Sequence, residues 1–463
     1  MYSKKIESVL KKQKIRIGER ISITKGEGND SKTYEGLLMP KTELGDSEAV
    51  VIKIDNGYNI GLKFDKNFSI KKSNSHTPKS VGEEEKYELG KIGKNLLKLD
   101  FDIKKPAIAF ITTGGTIASR VDYTTGGVVA TMKPQEILHN IPELKNFVNI
   151  KYMSNPFNKM SEDFDYKDWQ LLAKDVAKHL NSDAKGVVIT QGTDTIHYTT
   201  AALSFMLKNL NKPVIVIGAQ RSSDRGSSDA GFNIICAAHA ALSDIAEIGT
   251  CMHAEPGDTF CHFIRGTKVR KMHTSRRDAF KPINDIPLAK VWPDGRLEVT
   301  SSNVRQRNNG KVTVEASFDP KVAILKTYPN SEPDIIDYYK RKGYHGFVIE
   351  GTGLGHVPTK GNNSWIKTIK KTVDSGIPVV VTSQTIFGRV NPNVYTNLRI
   401  LYHEAGAIPG EDMISETAYV KLCWVLGQMK GKKNPDKVRE LMLKNIAGEI
   451  TERSEYVKDY VGL

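Results

Sequence analysis

The chain is 463 residues long, with 39% hydrophobic and 26% charged residues and a mean hydropathy of −0.38. That composition excludes a disordered or membrane-embedded chain and leaves room for two or three compact domains of about 100–200 residues each. Its 67 Lys and Arg against 53 Asp and Glu leave a net charge of +14, which favours anionic partners, nucleic acid first, and says nothing about fold.

The opening residues, MYSKKIESVLKKQKIRI, are basic and lack an apolar stretch of signal-peptide length, and no run of about 18 apolar residues follows anywhere. The first 14 residues read as a solvated or mobile end. Four cysteines, Cys236, Cys251, Cys261 and Cys423, form no C-x-x-C pair, so neither a disulfide framework nor a zinc ribbon is indicated. The expectation is a cytoplasmic protein with no membrane partner.

From about residue 15 to 67 the apolar runs are short and show no helical period: Ile15–Ile23, Gly36–Met39, Val50–Ile54 and Tyr58–Phe64. Asn56-Gly57 separates two of them, and Ile60, Leu62 and Phe64 alternate with Asn59, Gly61 and Lys63, as in a half-buried hairpin strand. A small β-barrel-like domain is predicted over 1–70. The polar, charged stretch that follows has too few apolar residues to offset the entropy of ordering and reads as a linker over 71–104.

Beyond it the texture changes to unbroken apolar runs, AIAFIT at 107–112, VVIT at 187–190 and VIVIG at 214–218, each followed by glycine and a helix-like segment. Buried parallel strands have this pattern. Trp169, Leu172, Ala173, Val176 and Leu180 recur at i, i+3, i+4, i+7 and i+11, the apolar face of an amphipathic helix. The unit is therefore α/β and doubly wound. After a polar stretch at 301–311 the pattern resumes with VAILK at 322–326, FVIE at 347–350 and VVVT at 379–382. This divides the rest of the chain into lobes at 105–317 and 318–463, the second ending in a helical tail marked by Val438, Leu441, Met442 and Ile446.

Two glycine-threonine turns close predicted strands: Thr112-Thr113-Gly114-Gly115-Thr116 and Thr190-Gln191-Gly192-Thr193-Asp194. In an open parallel sheet such loops line the ligand crevice, and glycine lets backbone N–H groups approach a substrate. A threonine hydroxyl needs a base before it attacks, so Asp194 beside Thr193 suggests acid/base work; equally, Thr116 or Asp194 caps a helix. No G-K-[ST] follows the first turn, so it is not a Walker loop, and Gly351–His356 has histidine where a dinucleotide fingerprint needs its third glycine. The basic run Arg265–Lys281 is an RNA-binding patch, a solvated face, or the source of one catalytic lysine. The spacing of Cys251, His253, Cys261 and His262 matches no common zinc pattern. His197, His239 and His253 read as core or surface residues, and Trp169 and Trp424 as packing.

Taken together, ITTGGTIAS, ITQGTDT and RKMHTSRRDAF, in that order, resemble the signature of the bacterial-type L-asparaginase and glutaminase family, with Gly406–Gly410 and Glu416-Thr417-Ala418 extending the likeness through the last lobe. The β-rich extension, GYNIG and GTKVRKMHTSRRDAF resemble one branch of that family, the D subunits of archaeal-type glutamyl-tRNA(Gln) amidotransferases. The resemblance implies an α/β, two-lobed asparaginase-like parallel-sheet amidase preceded by a small all-β barrel domain. It implies Thr116 as the nucleophile; Thr193, Asp194 and Lys271 as the unit that activates a hydroxyl or water and relays a proton; and Tyr123 on a lid hinged near Gly126-Gly127. Ser161 is expected to hold the substrate's α-carboxylate, and Asp194 and Glu162 its ammonium group. Simple asparaginases often have glutamine where this chain has Glu162. N–H groups around Gly115 and Gly192 are expected to bind the oxyanion.

The implied activity is hydrolysis of glutamine to glutamate and ammonia. The implied partner is the amidotransferase's E subunit, which would use ATP and Mg2+ to amidate Glu-tRNA(Gln); this chain itself would hold no cofactor and no metal. A homodimer core and tRNA(Gln) engaged through the complex are further implications. The alternative is a free-standing L-asparaginase with an accessory β domain. A third reading, an RNA-binding module with a decayed amidase lobe, is opposed by the presence of all four catalytic matches. Residues 1–105 carry 22 Lys and Arg against 16 Asp and Glu, so nearly half of the excess charge lies in under a quarter of the chain.

Overall fold

The computed structural model describes residues 2–26, 31–39, 47–53, 59–73, 101–115, 119–121, 128–130, 141–221, 228–432 and 434–454. The chain forms two compact units. One comprises Met1–Asp100, Thr116–Ile141 and Ala219–Gly231, and the other Phe101–Gly115, Pro142–Gly218 and Phe232–Leu463. Most of the expected linker, 74–100, lies outside the described residues.

The first unit opens with a helix, α1 (Lys4–Lys12), where a solvated end was expected. Ser3 caps it by accepting from the Ile6 N–H, Lys11 and Lys12 complement the dipole of its last turn, and Ile6 and Leu10 are buried one turn apart. Tyr2 anchors its start, its hydroxyl donating to the Met39 carbonyl at 2.6 Å. The helix packs on a five-stranded sheet, β1 (Arg20–Lys25), β2 (Lys32–Leu38), β3 (Ala49–Lys53), β4 (Asn59–Lys63) and β5 (Phe68–Lys72), in the order β4-β3-β2-β1-β5 with every pair antiparallel. Ile21, Ile23, Leu38, Val50, Ile52 and Ile70 share one core with Ile6, Leu10 and Ile15. Val50 pairs with Leu62 and Ile52 with Ile60, as the hairpin pattern predicts, and the turn expected at Asn56-Gly57 falls outside the described residues. Among the described residues, β4 and β5 remain the edges of this sheet.

The second unit is built on an eight-stranded sheet: β6 (Ala107–Thr112), β7 (Asn149–Ser154), β8 (Val187–Thr190), β9 (Val214–Ile217), β10 (Ile248–His253), β11 (Cys261–Arg265), β12 (Ala289–Val291) and β13 (Leu297–Val299), in the order β13-β12-β11-β10-β9-β8-β6-β7. The run from β7 to β10 is parallel; β11, β12 and β13 add an antiparallel extension that the apolar runs did not announce. Every residue of β8 and β9 is buried, which is why these strands read as unbroken apolar runs. The helix α2 (Tyr166–Leu180) starts with a capping box between Asp165 and Asp168 and buries the predicted face of Trp169, Leu172, Ala173, Val176 and Leu180.

Ten of the eleven residues of α3 (Ile196–Met206) are buried, as expected of a helix covered on both sides. A further helix, α4, spans Ala230–Leu242.

The C-terminal lobe carries a four-stranded parallel sheet, β14 (Val322–Lys326), β15 (Gly346–Gly351), β16 (Val379–Ser383) and β17 (Ile408–Pro409). One face packs on α5 (Asp334–Arg341) and α6 (Ile366–Asp374) through Ile336, Trp365 and Ile369. Leu422 and Leu426 of α7 (Ser415–Gln428) lie against Gly346 of the sheet. The rings of Phe205 and Trp424, 6.0 Å apart, join α3 to α7. The predicted tail helix is α8 (Pro435–Leu443), with Val438 and Met442 buried. Among the described residues no helix is long and apolar enough to cross a membrane.

Candidate active site

The parallel register of β6 and β8 sets Thr112 opposite Thr190, so the two glycine-threonine turns leave the sheet side by side. The Thr113 N–H and hydroxyl both donate to the Thr190 carbonyl, at 3.0 and 2.9 Å, and pin the first turn to the second. Contact is then backbone to backbone. Gly115 has φ +80°, and a Cβ there would lie 2.1 Å from the Gly192 nitrogen. A Cβ on Gly192 would lie 2.8 Å from Ser161 Oγ, which places that hydroxyl against the second turn. Ser161 is buried, Glu162 is exposed, and the Thr195 hydroxyl donates to the Ser161 carbonyl at 2.8 Å. Thr116 and Tyr123 lie outside the described residues.

Lys271 closes the constellation. Its Nζ donates to Thr193 Oγ1 at 2.8 Å and to Asp194 Oδ1 at 2.7 Å. Thr193 is buried and the Lys271 side chain is only 11% exposed, whereas the Asp194 side chain is 64% exposed. The pair thus presents a buried hydroxyl and an accessible carboxylate to the same ammonium group. Asp194 does not cap a helix: the short 3-10 turn Thr193–Thr195 and α3 after it begin at Gly192 and Thr195, neither with a side-chain cap bond.

The lysine comes from the short strand Val269–Lys271, paired antiparallel with Phe280–Pro282. The basic run around it is internally neutralised rather than presented as a cationic face. Arg265 pairs with Glu247, Lys268 with Asp412, Arg270 with Glu416, Arg276 and Lys281 with Asp278, and Arg277 with Asp258. An open cleft of about 500 Å³ is lined by Asp194, His197 and residues 270–274. Arg270, Glu416 and His197 are the neighbours that residue patterns alone did not single out as functional. Arg270 Nε donates to Glu416 Oε1 at 2.8 Å, and His197 Nε2 lies 4.0 Å from the same oxygen. Burial pushes His197 down from 6.5 to about 4; Glu416 opposes this, while Arg270 and Lys271 reinforce it. The ring is therefore neutral near pH 7.

The cysteine and histidine set at 251–262 belongs to the β10–β11 ladder. Cys251 and Cys261 are buried thiols, and His253 holds Asn233 Oδ1 at 2.7 Å and Asp258 Oδ1 at 3.0 Å. Among the described residues no group of three or more His, Cys, Asp and Glu is arranged to hold a metal ion.

Three family models account for most of the sequence. Residues 107–305 match "Asparaginase, N-terminal", residues 321–442 match "Glutaminase/Asparaginase C-terminal domain", and residues 15–72 match "GatD N-terminal domain". The D subunit of glutamyl-tRNA(Gln) amidotransferase from Pyrococcus abyssi is 48% identical over 447 residues, covering 96% of this chain and 98% of that one. Its namesake from Methanothermobacter thermautotrophicus is 42% identical, covering 98% of each chain.

This chain belongs to the family of glutamyl-tRNA(Gln) amidotransferase D subunits. The family's second unit has the fold of an asparaginase-type amidohydrolase. The thermostable L-asparaginase from Thermococcus kodakarensis superimposes with a TM-score of 0.67 at 30% identity, covering 75% of this chain and 100% of its own. L-asparaginase I from Vibrio cholerae gives 0.64 at 28% identity, covering 75% and 99%. About a quarter of this D-family chain therefore has no counterpart in either enzyme.

Proposed function

We propose that the chain is the glutaminase subunit of a tRNA-dependent amidotransferase: it hydrolyses glutamine to glutamate and ammonia, and the ammonia serves to convert Glu-tRNA(Gln) to Gln-tRNA(Gln). The observation that carries the reading is the Lys271 bridge between Thr193 and Asp194, in a chain matched end to end by relatives named as amidotransferase D subunits. In this reading Thr116 Oγ attacks the side-chain amide carbon of glutamine. The amide oxygen becomes an oxyanion held by N–H groups around Gly115 and Gly192, ammonia leaves with an added proton, and water then cleaves the acyl-threonine ester. Lys271 with Thr193 and Asp194 activates the attacking hydroxyl or water and relays its proton. Tyr123 closes over Thr116, Ser161 receives the α-carboxylate, and Glu162 with Asp194 receives the α-ammonium group.

The ATP- and Mg2+-dependent activation of the tRNA-borne carboxylate falls to the E subunit. The assembly is cytoplasmic, built on a homodimer of this chain, and tRNA(Gln) is bound by the complex. The domain limits we propose are a β domain over 1–70, which β5 carries on to Lys72, a linker from there to 104, and lobes over 105–317 and 318–463. A free-standing L-asparaginase is the competing reading, favoured by the solved neighbours; the unmatched quarter of the chain and the D-subunit relatives weigh against it.

One assay separates them: ammonia release from glutamine and from asparagine, side by side, with and without the purified E subunit and Glu-tRNA(Gln). Glutamine turnover stimulated by the partner and tRNA supports the glutaminase reading. Asparagine turnover indifferent to both supports the competitor. Thr116→Ala and Lys271→Ala are expected to abolish release in folded protein, and undiminished release in either overturns the residue assignment.

A further inference from the structure

The strand that carries Lys271 belongs to the first lobe, yet it and the residues leading into it are held from the second. Thr417 Oγ1 of α7 donates to the Thr267 carbonyl at 3.0 Å, and Lys268 Nζ, 1% exposed, donates to Asp412 Oδ2 at 2.5 Å. Two residues on, Arg270 Nε meets Glu416 Oε1 at 2.8 Å. Arg270 is next to Lys271 in the strand Val269–Lys271, and Lys268 stands in the bend just before it. The segment that leads into Lys271 is thus tied to the second lobe by charge-assisted bonds at Lys268 and Arg270, which are roughly twice as strong as neutral ones.

We propose that Glu416 and Arg270 are positioning residues: their contact between the lobes sets the placement of the neighbouring Lys271 against Thr193 and Asp194. The second lobe, to which the reading above gives no reacting group, thereby acts on the reaction. Glu416 is well placed for this, because it lies in the first turn of α7 and its side chain is only 10% exposed. Its carboxylate reaches the strand at Arg270, beside His197. The inference rests on Lys271 being the catalytic lysine, and a shift of about 1 Å at a reacting group is worth roughly 100-fold in rate.

The test uses the full-length chain and its ammonia release from glutamine. Glu416→Ala and Arg270→Ala are each expected to lower kcat about 10- to 100-fold with KM changed less than about twofold. The double variant should be no worse than the poorer single one, because both remove one contact. Glu416→Gln, which keeps an acceptor, should recover much of the loss, and Arg270→Lys, which keeps the charge but not the planar fork, should recover less. Thermal unfolding of each variant reports folding independently, and the two conservative variants keep the test open if an alanine variant fails to fold. Full kcat in folded Glu416→Ala with an inactive Lys271→Ala overturns the positioning role and leaves the site reading standing. A loss of kcat that merely tracks the loss of stability, with Glu416→Gln no better than Glu416→Ala, also overturns it. Wild-type activity in Lys271→Ala overturns both.

Discussion

Gly115 and Gly343 both have positive φ, +80° and +75°, but they differ in what surrounds them. Added to Gly115, a Cβ meets the backbone of Gly192 at 2.1 Å; added to Gly343 it meets nothing within 4 Å. Backbone against backbone cannot be relieved by a rotamer change, so Gly115→Ala has to push the two turns apart. It is expected to lower kcat/KM by at least about 100-fold, whereas Gly343→Ala incurs only left-handed strain of about 1–2 kcal/mol and leaves kcat/KM within about twofold. Paired kinetics and thermal melts check this; equal activity in the two variants would remove the close approach of the turns from the mechanism. The lysines show why residue types alone could not complete the site. Lys268, Lys271 and Lys281 stand in one basic run, and only geometry separates them: Lys268 is buried against Asp412, Lys281 meets Asp278, and Lys271 alone of the three meets Thr193 and Asp194. The family resemblance singled out Lys271; composition did not.

At the scale of elements, α1 is the informative case. Ile6→Ala removes a fully buried side chain shared with Ile21, Ile23 and Leu38, and is expected to cost the first unit about 2–4 kcal/mol. Lys5→Ala, on an exposed position, should stay within about 0.5 kcal/mol. Hydrogen exchange of the β1–β5 amides in the full-length chain measures both, and unchanged protection in Ile6→Ala would mean that α1 does not support the sheet. The helix escaped the sequence reading because its apolar stripe is one turn long, Ile6, Val9 and Leu10, set among four lysines; Ser3 as a cap and Tyr2 ahead of it were the available signals. The parallel strands β6, β8 and β9 were legible for the opposite reason, since burial on both faces leaves an unbroken apolar run. The antiparallel extension was not. β12 and β13 are three residues long, and β13 is half-buried at best, which leaves too few residues to show a period. The crevice itself followed from strand ends and glycines, but its closure by a strand 78 residues after Thr193 is long-range pairing that no local pattern encodes.

For the whole molecule, the neutral histidines set a pH dependence of stability. Burial pushes His197 down from 6.5 to about 4, with Glu416 and Asp194 opposing and Arg270 and Lys271 reinforcing. His262 is pushed down to about 4 by burial, with Lys281 and Lys290 adding to it and Glu255 opposing. Unfolded, both rings titrate near 6.5, so between about pH 6.5 and pH 4 the unfolded chain binds protons that the folded chain does not. Stability therefore falls as the pH falls through that window, by at most about 3 kcal/mol for His197 and less for the partly exposed His262. One carboxylate, Glu411, is raised above its ordinary 4.5 by burial, with Arg389 opposing and Asp412 adding to it; Glu247 acts lower on the scale. Burial works to raise Glu247, but the hydrogen bond from Arg305 and the charges of Arg265 and Arg305 outweigh it and hold the group below its ordinary 4.5. The stability Glu247 lends is thus complete above about pH 4.5 and is lost below it. Between 6.5 and 4.5 the two histidines lower stability as the pH falls, and Glu411 opposes them. Urea unfolding of the full-length chain at intervals from pH 7 to pH 4 is expected to show a declining midpoint across that range, and His197→Gln should flatten that decline even if it lowers stability at pH 7. A slope unchanged in the variant would mean that His197 takes up its proton in the folded chain, and with it that the ring is not held neutral beside Glu416.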